Sequence, residues 1–308
     1  MCELTPAFFW FHRVSADTGL QLFEETMLKA LSDFPTTGSD GGVRVRTPHL
    51  YHFNATTHTQ ILEDLPQSQD LKSFLLSEEG RGMSKSTALA VGHALGSWIG
   101  SFHAWTSEVA QSEVRNEMRK NKAMQKLKHS LNYERLIDMI DQYPESLQTS
   151  RGAFAQVKDQ AAAEMESGEA GYWGVIHGDF WTGNVLVSDR TLFIIDWELC
   201  QFGARGMDLG QMLAELFEVT HFKGVDAGLW ILQGLAESYF PLDDDIAFRT
   251  AIHTGVHLVC WSNVPGWGTP DQVEDVVRIG KDFIVKGWGR DREWFVSDGT
   301  LAHLFGRN

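Results

Sequence analysis

Between Val175 and Gly210 the chain reads VIHGDFWTGNVLVSDRTLFIIDWELCQFGARGMDLG, and four oxygen-bearing side chains recur in it: Asp179, Asn184, Asp196 and Glu198. Asp179 follows a β-rich run and sits in a loop bounded by Gly178 and Gly183. Asn184 opens the next such run and Asp196 closes the third. A hairpin of this length turns the chain back on itself, so Asn184 and Asp196 can stand side by side at one end of it. Asp196 and Glu198, two residues apart, share a face if the extended chain continues. Three or four hard oxygen donors around one open point suit Mg²⁺, which keeps its other positions for water and phosphate. Asp179, beside that point, is placed to accept a hydroxyl proton. The plain alternative for carboxylates in a hairpin is a solvated turn. An ordered Asp, Asn and Asp within one short segment argues against it.

The surrounding pattern supplies the elements that must hold these groups. Leu20–Leu31 predicts a helix, with Leu20, Phe23, Met27, Leu28 and Leu31 on one face. A Gly-, Ser-, Thr- and Asp-rich loop follows over Thr36–Gly42. His49–Phe53 and Thr59–Glu63 read as strands joined by a polar turn at Asn54–Thr57. Thr87–Trp105 is a strongly amphipathic helix, and Glu113–Tyr143 (highly charged) and Phe154–Ser167 read as two more. The period then changes: Gly174–His177, Val185–Ser188 and Leu192–Asp196 are short strands. Asp208–Val219, Ala227–Tyr239, Ile246–Trp261 and Pro270–Gly287 return to helix. A small strand-containing front region, residues 1–64, thus precedes a large helical body, residues 65–308. The expected class is α+β in two lobes.

Composition narrows the setting. The 308 residues carry 41 acidic against 26 basic side chains, a net charge of −15. Nucleic acid and anionic membranes are therefore not the expected partners. Cys2, Cys200 and Cys260 are odd in number and far apart, which excludes a disulfide scaffold and suits a reducing, cytoplasmic setting. The apolar run Ala7–Phe11 is too short to span a membrane or serve as a signal core. The eleven Trp fit either a large core or a pocket for flat ligands. His253 and His257, four apart on a helix, could pair on a metal. No HExxH accompanies them, so a core or pocket-lining role is expected.

The order H-G-D-x-x-x-x-N, then I-D-x-[DE], then a later Asp resembles the catalytic region of the aminoglycoside-phosphotransferase/choline-kinase group, small-molecule relatives of protein kinases. The D-x-E form, Phe202–Gly210 and the words DWELC and His257–Trp261 are most similar to 5-methylthioribose kinase and fungal 4-hydroxytryptamine kinase. The resemblance runs from about Ala7 to Trp288. It implies a two-lobed protein-kinase-like fold and an ATP- and Mg²⁺-dependent transfer to a hydroxyl of a small molecule. Asp179 falls on the catalytic Asp, Asn184 and Asp196 on the metal ligands, with Glu198 as a further one. His177 and Asp208 fall on residues that brace the loop. Glu24 falls on the helix Glu that pairs with a strand Lys, and Ile61, Leu62, Glu63, Asp64 and Leu65 on the linker whose backbone holds adenine. Trp181, Trp197, His257 and Trp261 are candidates for lining the substrate site, with plain packing the alternative for the two Trp of the segment.

Relatives carry a Gly-rich hairpin and a strand Lys before the Glu24 helix. Here no Lys precedes Lys29 and no Gly precedes Gly19; Gly38–Gly42 follows a helix and is no substitute. Two expectations follow: a working small-molecule kinase with a shortened front lobe, or a catalytically impaired kinase-fold binding or scaffold protein. A front lobe short of strands is also expected to leave an unpaired edge, open to self-association.

Overall fold

The computed structural model describes residues 20–34, 37–38, 42–57, 59–168, 170–240, 242–264 and 266–305; the Ala7–Phe11 run lies outside them. The front begins with helix α1 (Leu20–Leu31), followed by β1 (Thr37–Gly38), β2 (Arg44–Arg46) and the hairpin β3 (Leu50–Asn54) and β4 (Thr59–Leu62). Next come β5 (Gln69–Asp70), α2 (Leu71–Leu76), α3 (Glu78–Arg81), α4 (Lys85–Trp105), α5 (Ser112–Lys120), α6 (Lys122–His129), α7 (Arg135–Gln142), α8 (Pro144–Leu147) and α9 (Arg151–Ser167). Strands β6 (Trp173–Ile176), β7 (Val185–Ser188), β8 (Thr191–Ile194) and β9 (Gln201–Ala204) carry the chemistry-bearing segment. Helices α10 (Gly206–Lys223), α11 (Ala227–Ser238), α12 (Asp244–Trp261), α13 (Pro270–Trp288) and α14 (Arg292–Asp298) complete the α+β fold.

Local chemistry fixes the helix starts. Ser84 accepts from the Thr87 N–H ahead of α4, and Asp70 accepts from Ser73 ahead of α2. Thr269 and Gln272 form a reciprocal capping box, with Pro270 at the first position of α13. The body packs around α4, whose Gly96 brings it against α11; a Cβ there would lie 2.3 Å from the Leu235 carbonyl oxygen.

Two sequence expectations are corrected. The single helix over Glu113–Tyr143 is broken at Asn121, whose side chain caps α6 and donates to the Cys200 carbonyl at 2.9 Å, and it widens into a π-helical turn at Ser130–Glu134. The front strands also do not stay together: β3 and β4 pair only with each other, while β1 and β2 join strands of the body. β2 runs parallel to β8, giving one five-stranded sheet in the order β1-β2-β8-β7-β5. A three-residue strand cannot satisfy its backbone alone, and Thr191–Phe193 supplies the partner across the 64/65 division.

Candidate active site

The loop after β6 is braced from below by Asp208, in the first turn of α10. Its Oδ2 accepts from the His177 backbone N–H (2.8 Å) and its Oδ1 from that of Gly178 (2.9 Å). His103 Nε2 lies 3.1 Å from Oδ2, and the Tyr239 hydroxyl is 2.9 Å from the other His103 nitrogen. Burial alone would raise the Asp208 carboxyl; the hydrogen bond and charge of His103, with His177 and the Gly178 N–H, outweigh it and hold it below the usual range. The α10 helix starts at Gly206, so Asp208 is inside the helix and not its N-cap. Gly178 has φ of 84°, and a Cβ on it would meet the Leu199 carbonyl oxygen at 2.1 Å; only glycine fits this turn.

His177 is fully buried, and burial pushes its pKa down. Its Nδ1 accepts from the Asp179 N–H (3.2 Å), so its Nε2–H donates to the Ile195 carbonyl (3.0 Å). The neutral ring thus ties the loop to the end of β8.

Asp179 stands half-buried above this brace. Gln211 Nε2 donates to its Oδ1 at 2.7 Å, and Lys128 Nζ lies 3.6 Å from the same oxygen. Asn184 Nδ2 donates to Oδ2 and to the Asp179 carbonyl, both at 3.0 Å, which leaves the amide oxygen of Asn184 for another partner. Asp196 has φ of 65°, so the extended chain does not continue into Glu198 and the two do not alternate as strand residues. This corrects the shared-face expectation; the two carboxylates still interact by charge. Asp196 is crowded by protein while one side stays exposed to water. That crowding, then the charges of Glu198, Asp179 and Glu24, push its carboxyl up to about 7.

Glu24 of α1 reaches the same place. It accepts from the Trp197 backbone N–H and from Gln60 Nε2 (2.8 Å), and burial raises its carboxyl. Among the described residues no Lys, Arg or His pairs with Glu24 or Asp196. Nor do three His, Cys, Asp or Glu side chains converge as a ready metal cage. The oxygen donors on this side of the loop are the carboxylates of Asp196 and Glu198 and the Asn184 amide. Crowded anions with a neutral oxygen beside them fit a hard divalent cation completed by phosphate and water. In the linker, Ile61 and Leu62 end β4 with exposed side chains. Glu63 is spent on a bidentate pair with Arg46 (2.5 and 2.6 Å) and on the His49 N–H, and Asp64 and Leu65 lead on towards β5.

Behind Asp179 lies a second acidic group. Glu215 of α10 pairs with Lys72 (3.0 Å) and with His257 Nε2 (3.3 Å); burial would raise its carboxyl, but these partners hold it down to about 2. The Lys72 ammonium also lies 3.9 Å from the Trp267 ring and 5.4 Å from that of Trp181. Trp261, half-buried, points its Nε1–H at Asn132 (3.3 Å) under Arg135. Trp181, His257 and Trp261 are therefore linked through Lys72 and Glu215, the His257 and Trp261 rings lying 6.3 Å apart. Trp197 is not among them. It is fully buried, 4.3 Å from the His177 ring and edge-on to Trp98 and Phe102, with its Nε1–H on the Ile194 carbonyl. Its place is the core, and the substrate-lining expectation for it is withdrawn.

A family model described as the phosphotransferase enzyme family (APH) matches residues 45–240. The chain belongs to that family. Phosphotransferase FrzJ of Cladobotryum sp is 32% identical over 261 residues, covering 82% of this chain and 68% of the relative. A 4-hydroxytryptamine kinase of Psilocybe cyanescens is 24% identical over 275 residues, covering 84% of this chain and 71% of the relative. Among solved structures, an ADP-bound aminoglycoside phosphotransferase superposes with a TM-score of 0.50 at 11% identity, over 88% of this chain and 85% of that one. The α+β architecture is thus the two-lobed kinase-like fold of the family. Among the described residues no helix is long and apolar enough to cross a membrane.

The sequence reading missed Lys128, Gln211, Glu215, Lys72 and His103. All five sit on helices, buried or half-buried, where a polar residue is ordinarily read as solvent-facing.

Proposed function

We propose that this chain is an ATP- and Mg²⁺-dependent phosphotransferase that phosphorylates a hydroxyl group of a small metabolite. The carrying observation is Asp179, held by Gln211 and Asn184 beside a crowded pair of carboxylates, Asp196 and Glu198; Trp181, His257 and Trp261 are the side chains we assign to the acceptor. Asp179 orients the acceptor hydroxyl and takes its proton. The acceptor oxygen forms its bond to the γ-phosphorus, the bond to the bridging oxygen breaks, and ADP leaves with that electron pair. Asn184, Asp196 and Glu198 are the groups that would hold Mg²⁺, which when bound neutralises phosphate charge. The linker Ile61–Leu65 offers backbone groups to adenine. Little covalent help is needed, so placement and charge carry the rate.

One observation favours a second reading, a binding protein with impaired transfer: Glu24 has no cationic partner among the described residues. Substrate-dependent ATP consumption by the purified chain separates the two, measured across hydroxylated amines, 4-hydroxytryptamine among them, and sugars. Transfer to one acceptor is expected, lost by about 10³-fold in Asp179→Asn with the melting temperature unchanged. Tight Mg²⁺·ATP binding without transfer to any acceptor selects the binding reading. Unchanged turnover in Asp179→Asn removes the base assignment.

A further inference from the structure

Helix α6 presents an unusual face. Asn121 just ahead of it, Gln125, Lys128 and then Asn132 follow at helical spacing, and all four are buried. Three have backbone partners: Asn121 donates to the Cys200 carbonyl (2.9 Å), Gln125 to that of Phe202 (2.8 Å) and Asn132 to that of Lys128 (2.8 Å). The first two pin α6 along β9. One turn further on, Lys128 is the only charge on that face, with 8% of its side chain exposed. Its ammonium turns inward to Gln211 Oε1 (3.1 Å) and Asp179 Oδ1 (3.6 Å).

Burying an ammonium costs several kcal/mol unless a partner is fixed beside it. Lys122 and Lys126, on the same helix, are exposed, so the inward placement is particular to position 128. Asn132, four residues on, follows Lys128 on the inward face as the chain enters the π-helical turn Ser130–Glu134.

The geometry points to Lys128 as the positioning residue of Asp179, acting through Gln211 and by direct charge. This inference rests on the proposed function. The Gln211 amide lies between an ammonium and a carboxylate. Its oxygen must face Lys128 and its NH₂ must face Asp179, because the flipped amide sets like against like at both ends. Lys128 therefore dictates that Gln211 donates to Oδ1, and that bond fixes the plane of the Asp179 carboxylate relative to the acceptor. The loop from Asp179 to Asn184 contains no cation of its own. Lys128, from about fifty residues upstream, supplies one.

The test compares Lys128→Met, Lys128→Gln, Lys128→Arg and the control Lys126→Met on the exposed face. The readouts are steady-state ATP turnover with water or any hydroxyl acceptor that supports it, Mg²⁺·AMP-PNP affinity by calorimetry, and thermal melting. Lys128→Met is expected to lower kcat by about 10²-fold, with KM for ATP and AMP-PNP affinity within about twofold. Lys128→Arg should recover more than Lys128→Gln, because the charge is what orients the amide, and Lys126→Met should match the parent. Unchanged kcat in Lys128→Met, or a loss confined to KM, overturns the inference. A parent chain that neither binds AMP-PNP nor consumes ATP instead removes the functional reading. Crystal structures of the parent and Lys128→Met then decide the geometry: the Gln211–Asp179 bond is expected to open beyond hydrogen-bond distance, and its retention at 2.7 Å overturns the inference.

Discussion

Asp208 and Asp196 stand twelve residues apart on the two sides of one loop, and their settings are opposite. Asp208, below the loop, receives two backbone N–H groups and His103 and is held ionised. Asp196, at the rim, meets Glu198, Asp179 and Glu24 and resists ionisation. The floor is completed by backbone donors and His103, whereas the rim brings Asp196 within reach of three other carboxylates. That contrast is what the proposed function builds on: Asp208 braces the loop and Asp196 is assigned to the nucleotide side, although both come from one short segment.

The sharpest way to break the contrast is at the floor. Asp208→Ala would leave the His177 and Gly178 N–H groups and His103 buried without their acceptor. A loss of about 3–5 kcal/mol is expected, read as a lower urea midpoint together with loss of transfer. A stability change under about 1 kcal/mol would mean the loop is braced elsewhere. At the rim the sign should differ. Asp196→Ala relieves repulsion, so the nucleotide-free protein should melt at the same temperature or higher. Mg²⁺·ATP affinity should fall by about 10–100-fold, because a hard cation loses an anionic oxygen. Equal affinity by calorimetry with magnesium present would remove Asp196 from the nucleotide site.

The same contrast explains what was legible in the sequence. The loop could be read because its parts are close in the chain: glycine at the turn, Asp179, Asn184 five residues on, and a hairpin that returns Asp196 to them. The left-handed backbone at Asp196 could not be read, since nothing in the residue type requires it, and the predicted pairing with Glu198 on one face failed there. The helical half of the site was read least well. Asp208, Gln211, Glu215 and Glu218 recur at helical spacing on α10, and Asn121, Gln125, Lys128 and Asn132 do so along α6. Both stripes look like solvated faces and both are buried, meeting where Lys128 contacts Gln211. A signal was present for α10, whose other positions, Leu209, Met212, Leu213, Leu216 and Val219, are apolar and buried too. A helix apolar on all its remaining sides has no solvent face to give its polar stripe. For α6 no such signal exists, because exposed lysines flank the stripe. Trp197 failed in the reverse sense: its neighbours in sequence are at the site, but its own ring turns into the core.

The smallest effect is expected at the inner end of the α10 stripe, and there the proton count decides the state of Glu218. Ser262 Oγ lies 2.5 Å from Glu218 Oε1 and 2.6 Å from the Leu258 carbonyl, while Trp267 Nε1–H donates to Oε2 at 2.5 Å. Ser262 has one hydroxyl proton. If it goes to Leu258, the Glu218–Ser262 contact needs a proton on the carboxyl. Burial, then the charge of Glu215, push that carboxyl from 4.5 up to about 7, in agreement with the count. The unfolded chain releases this proton near 4.5 and the folded chain holds it to about 7. The folded state therefore binds more protons in that window, and the contribution of Glu218 to stability declines as pH rises through it. Glu218→Gln has the donor and acceptor pattern of the neutral acid: its oxygen can accept from Trp267 and its NH₂ can donate to Ser262. The variant should melt with the parent near pH 5 and gain on it progressively up to about pH 7, with little further gain by pH 8. Urea midpoints of both proteins from pH 5 to 8 measure this. A difference that stays constant with pH would mean that Glu218 is ionised in the fold and that Ser262 gives its proton to the carboxylate, not to Leu258.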